Sequence, residues 1–148
     1  MKPFFRTPAR VAELEREAAE WIGTPWLPGS CLKHHGTDCG QFAAGLYAGC
    51  KAHPLFTIPR IISFTSRQTE SLVIWLSSFE RLRRVDNRSL NPGDLLIFSG
   101  THVHMAVVLS NDQIIHSLSH GGVQYGSAKD PTLMGHLFAI FEVLEPHS

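Results

Sequence analysis

The 148-residue chain has no surplus of charge: thirteen Lys and Arg balance thirteen Asp and Glu. It therefore lacks the basic stripe of a nucleic-acid binder and the polybasic run of an anionic-lipid binder. No apolar stretch approaches the ~20 residues that a membrane-spanning helix needs. The start, Met1-Lys2-Pro3-Phe4-Phe5-Arg6, has neither the continuous apolar stretch nor the small-residue cleavage site of a secretory signal. The expectation is a cytoplasmic chain, or one delivered by a non-classical route. Cysteines number three, Cys31, Cys39 and Cys50, without the short paired spacing of a zinc ribbon. A Cys31–Cys50 disulfide with Cys39 left free is conceivable, but a reducing compartment argues against it. Internal repeats, low-complexity tracts and domain boundaries are also missing. What is present is 43% hydrophobic, enough core for one domain over residues 1–148. The pattern calls for no cofactor and implies no particular oligomeric state. Histidine is plentiful: nine residues, six of them (His34, His35, His102, His104, His116 and His120) near the segments that carry chemistry.

The first half reads as helical. Thr7 can cap a helix whose first position suits Pro8. Val11, Leu14, Ala18, Trp21 and Ile22 recur at helical spacing, with Glu13, Arg16, Glu17 and Glu20 assigned to the other face. Gly23 ends it, and residues 24–37 read as loop. A second helix starts with Asp38 as cap, and Gln41 is placed to close a capping box. Phe42, Leu46 and Cys50 form its apolar stripe. Gly45 and Gly49 weaken it by about 1 kcal/mol each relative to alanine, a loss compatible with close packing on a sheet. Residues 51–65 read as irregular, and Arg67 to Phe79 as a third helix. Arg81 to Val85 fits either a helix tail or a short strand.

The period then changes. Asn91-Pro92-Gly93-Asp94 is a turn. Apolar runs follow at Asp94–Phe98, Val103–Leu109 and Gln113–Leu118, the last two joined by a hairpin turn at Ser110-Asn111-Asp112. Val123–Tyr125 and Phe138–Leu144 complete the strands. Helices first and strands after predict an α+β domain, N-terminal helices packed on an antiparallel β-sheet.

Cys39 follows a capping aspartate, beside unpaired backbone N–H groups that favour a thiolate and can donate to an oxyanion. A random cysteine is more often a small buried hydrophobe. His102 and His104, two apart on a strand, are expected on one face. His116 sits among isoleucines and needs a partner, which an imidazole on the neighbouring strand would supply. This is the residue set of a cysteine hydrolase.

Four segments in this order resemble the NlpC-type cell-wall peptidases, papain-like cysteine enzymes. Trp21-Ile22-Gly23-Thr24-Pro25-Trp26 looks like the family's Gly-Thr-Pro-Tyr opening. Thr37-Asp38-Cys39-Gly40-Gln41-Phe42 looks like its Asp-Cys-Ser-Gly-Phe nucleophile motif. Leu90 to Phe98 looks like its Leu-x-Pro-Gly-Asp-Leu strand entry. His104 to Leu109, followed by Ile114-Ile115-His116-Ser117, looks like its paired histidine strands. The resemblance covers about Ala19 to Gly126. It implies Cys39 as nucleophile, His104 as general base and His116 as the residue that orients His104. It implies an acyl-enzyme resolved by water, and a peptide or peptidoglycan-fragment substrate cut at an amide of the stem peptide.

Asp38, Gly40, Trp26 and His102 are the candidate substrate-binding positions. Two of them depart from the family pattern. Gly40 stands where a serine usually follows the cysteine, and that serine helps bind a free amine in some members. Trp26 stands where tyrosine is usual, and it lacks the hydroxyl. A phage-tail or otherwise delivered component, or an amidase with another substrate, fits the missing signal. Three alternatives remain open at this stage: acyl transfer in place of hydrolysis, a non-catalytic binding domain, and a zinc site. The last would use His102, His104 and His116, or Cys39 with two histidines; the spacing matches no recognised zinc pattern, and no metal is assigned. His34, His35 and His120 are expected on loops rimming the cleft.

Overall fold

The computed structural model describes residues 1–59, 66–100 and 102–147, without the side chains of residues 66 and 67. The irregular reading of 51–65 can thus be followed only through 51–59, which carry no helix or strand; the remainder lies outside the described residues.

Helix α1 spans Pro8–Trp21, and the Thr7 hydroxyl accepts from Arg10 N at 3.2 Å. Leu14, Ala18 and Trp21 are buried, as the helical spacing predicts. Ile22 lies past the helix end and is exposed. Glu17 was expected on the solvent face and is buried instead, one turn from Leu14 and Trp21. It is held by Lys33, with Nζ 2.6 Å from Oε1, because a buried carboxylate needs a partner.

The loop after α1 contains a short hairpin, β1 (Cys31–Leu32) against β2 (Gly36–Thr37), too short to leave a periodic signal. Helix α2 spans Cys39–Gly49. Its glycines do allow close packing, but against α1 and β1, not the sheet. A Cβ on Gly45 would stand 2.7 Å from Cys31 Sγ and 2.9 Å from Trp21, and one on Gly49 would collide with Glu17. Helix α3 spans Ser66–Ser77, so Phe79 falls beyond its end.

The ambiguous segment forms strand β3, Leu82–Val85. Then come β4 (Leu95–Phe98), β5 (His104–Val108), β6 (Gln113–Leu118), β7 (Gly122–Ser127), the short helix α4 (Pro131–Met134) and β8 (Leu137–Val143). Among the described residues six strands form one sheet, in the order β3-β8-β4-β5-β6-β7, antiparallel throughout. The turn before β4 has Pro92 followed by Gly93 at φ 90°, the type II arrangement that requires positive φ at its third residue. The β5–β6 hairpin turns through Asn111 and Asp112, both at φ 58°, as in a type I′ turn. Helix α4 went unforeseen because four residues carry no period.

One face of the sheet carries the larger core: Leu95, Ile97, Met105, Val107, Ile115 and Phe141 pack with Leu14, Trp21, Phe42, Leu46 and Leu72 of the helices. The other face has a smaller cluster around Leu96, Phe98, Ala106, Val108 and Ile114, partly covered by Leu133 and Met134 of α4. Helices on an antiparallel sheet is the fold class read from the sequence. Helix α2 packs on β5 and β6, which sets the start of α2 against the start of β5.

Candidate active site

Asp38 caps α2 with Oδ1, which accepts from Gln41 N at 2.8 Å. Its Oδ2 accepts from Gly29 N at 2.7 Å, tying the preceding loop to the helix start. The expected capping box does not form in its usual sense. The Gln41 amide instead donates to the Ile58 carbonyl at 3.3 Å and holds the 56–59 segment over the first turn.

The other half of the site comes from β5 and β6. Their ladder pairs Val108 with Ile114 and Val107 with Ile115 and stops there. His104 and His116 lie beyond its last rung, where their rings meet: His104 Nε2 is 2.8 Å from His116 Nδ1. His104 also stacks on Phe98, ring centroids 5.8 Å apart. Gly126 on β7 leaves room for the second ring, since a Cβ there would stand 3.0 Å from His116 Nε2. Ser117 joins the two halves. Its buried hydroxyl donates to the Thr37 carbonyl at 3.2 Å, fixing the residue before the cap to the strand that carries His116.

These elements enclose a cavity of about 820 Å³. Trp26, Asp38, Cys39, Gly40, His102 and His104 all line it, with Gln41, Ile58, Met105 and Ser117 among the other wall residues. The sequence-predicted residues are thus brought together, with His116 behind His104. His102 reaches the cavity by a different route from the one expected. Strand β5 begins at His104, so the two-residue alternation does not include His102, which is exposed. His34, His35 and His120 are exposed and do not line the cavity. Ile58, Ser117 and the Gln41 tether were not anticipated. Ser117 carried a signal, a small polar residue directly after His116 in an apolar strand; Ile58 carried none.

The thiol does not have the lowered pKa that its helix position predicted. Burial, and then the negative charge of Asp38, push Cys39 up to about 11. The N–H groups of Met105, Gly40 and Cys39 pull the other way, as a helix start should, but desolvation outweighs them. Burial and then His116 take His104 down to about 4, and burial lowers His116 as well. Burial thus favours a neutral thiol and neutral imidazoles in the resting site. All three cysteines are free thiols. Among the described residues no group of three His, Cys, Asp or Glu side chains is arranged to hold a metal ion, and no helix is long and apolar enough to cross a membrane.

Comparison with known proteins places the fold. The sequence profile of the NlpC/P60 family matches residues 23–142. A Haemophilus influenzae protein named "Probable endopeptidase" is 25% identical over 125 residues, 82% of this chain and 67% of that protein. An NLP/P60-family structure from Staphylococcus aureus, described as similar to lipoprotein, superposes with TM-score 0.66 at 17% identity, over 97% of this chain and 44% of that one. A peptidoglycan hydrolase from Mycobacterium tuberculosis superposes with TM-score 0.59 at 19% identity, over 94% of this chain and 66% of that one. The chain thus spans less than half the length of the first of these structures.

Proposed function

The chain belongs to the NlpC/P60 family, and from that membership we propose that it is a cysteine peptidase that cuts an amide bond in the stem peptide of peptidoglycan. The observation that carries the mechanism is the 2.8 Å contact of His116 with His104, which lines the same cavity as Cys39. With His104 Nε2 engaged by His116, Nδ1 is the ring atom left to serve the thiol. For Nδ1 to accept a proton, Nε2 must carry hydrogen and donate to His116 Nδ1. His116 then keeps its own hydrogen on Nε2. His116 is thus a positioning residue that fixes the tautomer of His104.

The neutral resting pair sets the order of events. His104 takes the thiol proton as Cys39 Sγ attacks the carbonyl carbon, acting as a general base and not as half of a standing ion pair. The Cys39 N–H at the helix start is placed to donate to the developing oxyanion. The protonated His104 returns its proton to the leaving amine, and the acyl group stays on Cys39 until water resolves it. The substrate class is supported by the names of the relatives, an endopeptidase and a peptidoglycan hydrolase.

The test is mass spectrometry of muropeptides incubated with wild type and with Cys39→Ala. Wild type should release a shortened stem peptide, and Cys39→Ala should lose roughly 10⁴-fold or more of that activity while keeping the fold. Equal cleavage by both proteins would remove Cys39 from the mechanism.

A further inference from the structure

Cys39 is followed by a buried glycine whose missing side chain is replaced from elsewhere in the chain. A Cβ on Gly40 would collide with Ile58 Cδ1 and stand 3.2 Å from Met105 Sδ. The Ile58 side chain is therefore seated directly on the residue next to the nucleophile. It is held there by its own backbone, through the Gln41 amide on the Ile58 carbonyl. Ile58 and Met105 make the surroundings of Gly40 apolar, and Pro59, Leu72 and Val103 add to the apolar lining of the cavity. Among the described lining residues Asp38 is the one carboxylate, and each of its oxygens already accepts a backbone N–H. An ammonium group lodged beside Gly40 would face the methyl groups of Ile58 and the thioether of Met105. Among the described lining residues only the Asp38 carboxylate, already engaged by two backbone N–H groups, would offset its charge, so its burial there is penalised.

We propose that Ile58, seated on Gly40, is a specificity-determining residue that makes the pocket beside Cys39 select an uncharged, apolar acyl part over one bearing a free ammonium group. This rests on the peptidase reading, in which the acyl part of the substrate stays on Cys39. The peptides it accepts then have the amine of the residue nearest the cleaved bond already in amide linkage.

The test uses the full chain and two alanyl chloromethyl ketones that differ only at the amine, one acetylated and one free. Modification of Cys39 is timed by mass spectrometry. Wild type should be captured by the acetylated reagent at least about tenfold faster. Ile58→Asp places a carboxylate against the pocket and should narrow or reverse that ratio, while Ile58→Val should keep it. Both substitutions leave the Ile58 carbonyl that Gln41 holds. Equal capture by wild type, a preference for the free amine, or an unchanged ratio in Ile58→Asp would each overturn the proposal. Capture needs no turnover, so the two readings fail separately. Unselective capture beside intact stem-peptide cleavage sinks the pocket alone, and selective capture without cleavage sinks the hydrolase reading alone.

Discussion

The helix wall and the strand wall of the cavity are held in place by different means. On the helix wall, side chains hold backbone: Asp38 takes the N–H groups of Gly29 and Gln41, and Gln41 takes the Ile58 carbonyl. On the strand wall, one side chain holds another, His104 on His116, past the last rung of the β5–β6 ladder. The first arrangement spreads its hold over several backbone groups. The second leans mainly on the contact between two imidazoles, with the Phe98 stack and the Ser117–Thr37 bond beside it. Substitution should therefore cost function more on the strand wall and be better tolerated on the helix wall.

The largest effect is expected at His116. His116→Ala should lower kcat/KM by roughly 10²- to 10³-fold, the scale of general acid–base assistance. A merely structural role would lower activity without moving its pH dependence. At acid pH a protonated His116 depresses His104, so its removal should move the acid limb of the rate profile to higher pH. His116→Asn, which can still accept from His104 Nε2, should recover part of the loss. An unmoved acid limb would break the claim that His104 depends on His116.

The next effect is on stability. His104 is held near pKa 4 when folded and returns to about 6.5 when unfolded. As pH falls the unfolded chain takes up the proton first. The contribution is therefore complete above about pH 6.5 and is lost progressively toward pH 4. The loss is on the order of 3 kcal/mol for His104. His116 and His53, both lowered by burial, act in the same direction. Urea denaturation between pH 7 and 4 should show this fall in wild type and a smaller one in His104→Gln. Equal falls would mean that burial beside His116 does not hold His104 neutral.

The same contrast explains what could be read from the chain. The helix wall is local in sequence: an aspartate, a cysteine and a glutamine three residues past the cap announce the start of α2 and the place of the nucleophile. The paired strands were legible from their alternation, and so was the His104–His116 partnership, because a polar residue among isoleucines must find one. Three things were not legible. Whether the helix start or burial decides the Cys39 pKa depends on how deeply the strand wall covers it, which no local pattern encodes. The end of the β5–β6 ladder, which takes His102 out of the strand, is a matter of how far two strands stay paired. The seat of Ile58 on Gly40 joins residues 18 positions apart through an irregular segment, and irregular backbone has no period to read.

The smallest effect tests the helix wall. Asp38 has two roles there that oppose each other: it caps α2 and ties Gly29, yet its charge raises the thiol pKa. Asp38→Asn removes the charge and keeps the cap on Gln41 N, but its Nδ2 cannot accept the Gly29 N–H. Asparagine caps about as well as aspartate, so the stability loss should be confined to the Gly29 tie, about 1 kcal/mol. The charge is gone, so the Cys39 pKa should fall and alkylation by iodoacetamide at a fixed pH near 8 should quicken several-fold. The reaction follows the thiolate, so in wild type its rate should keep rising with pH toward about 11. A wild-type rate already flat across the neutral range would mean a standing thiolate–imidazolium pair, and the strand wall would then be setting the charge of the helix wall. A rising rate that Asp38→Asn leaves unchanged would mean that burial alone sets it, and that the carboxylate is a cap and nothing more.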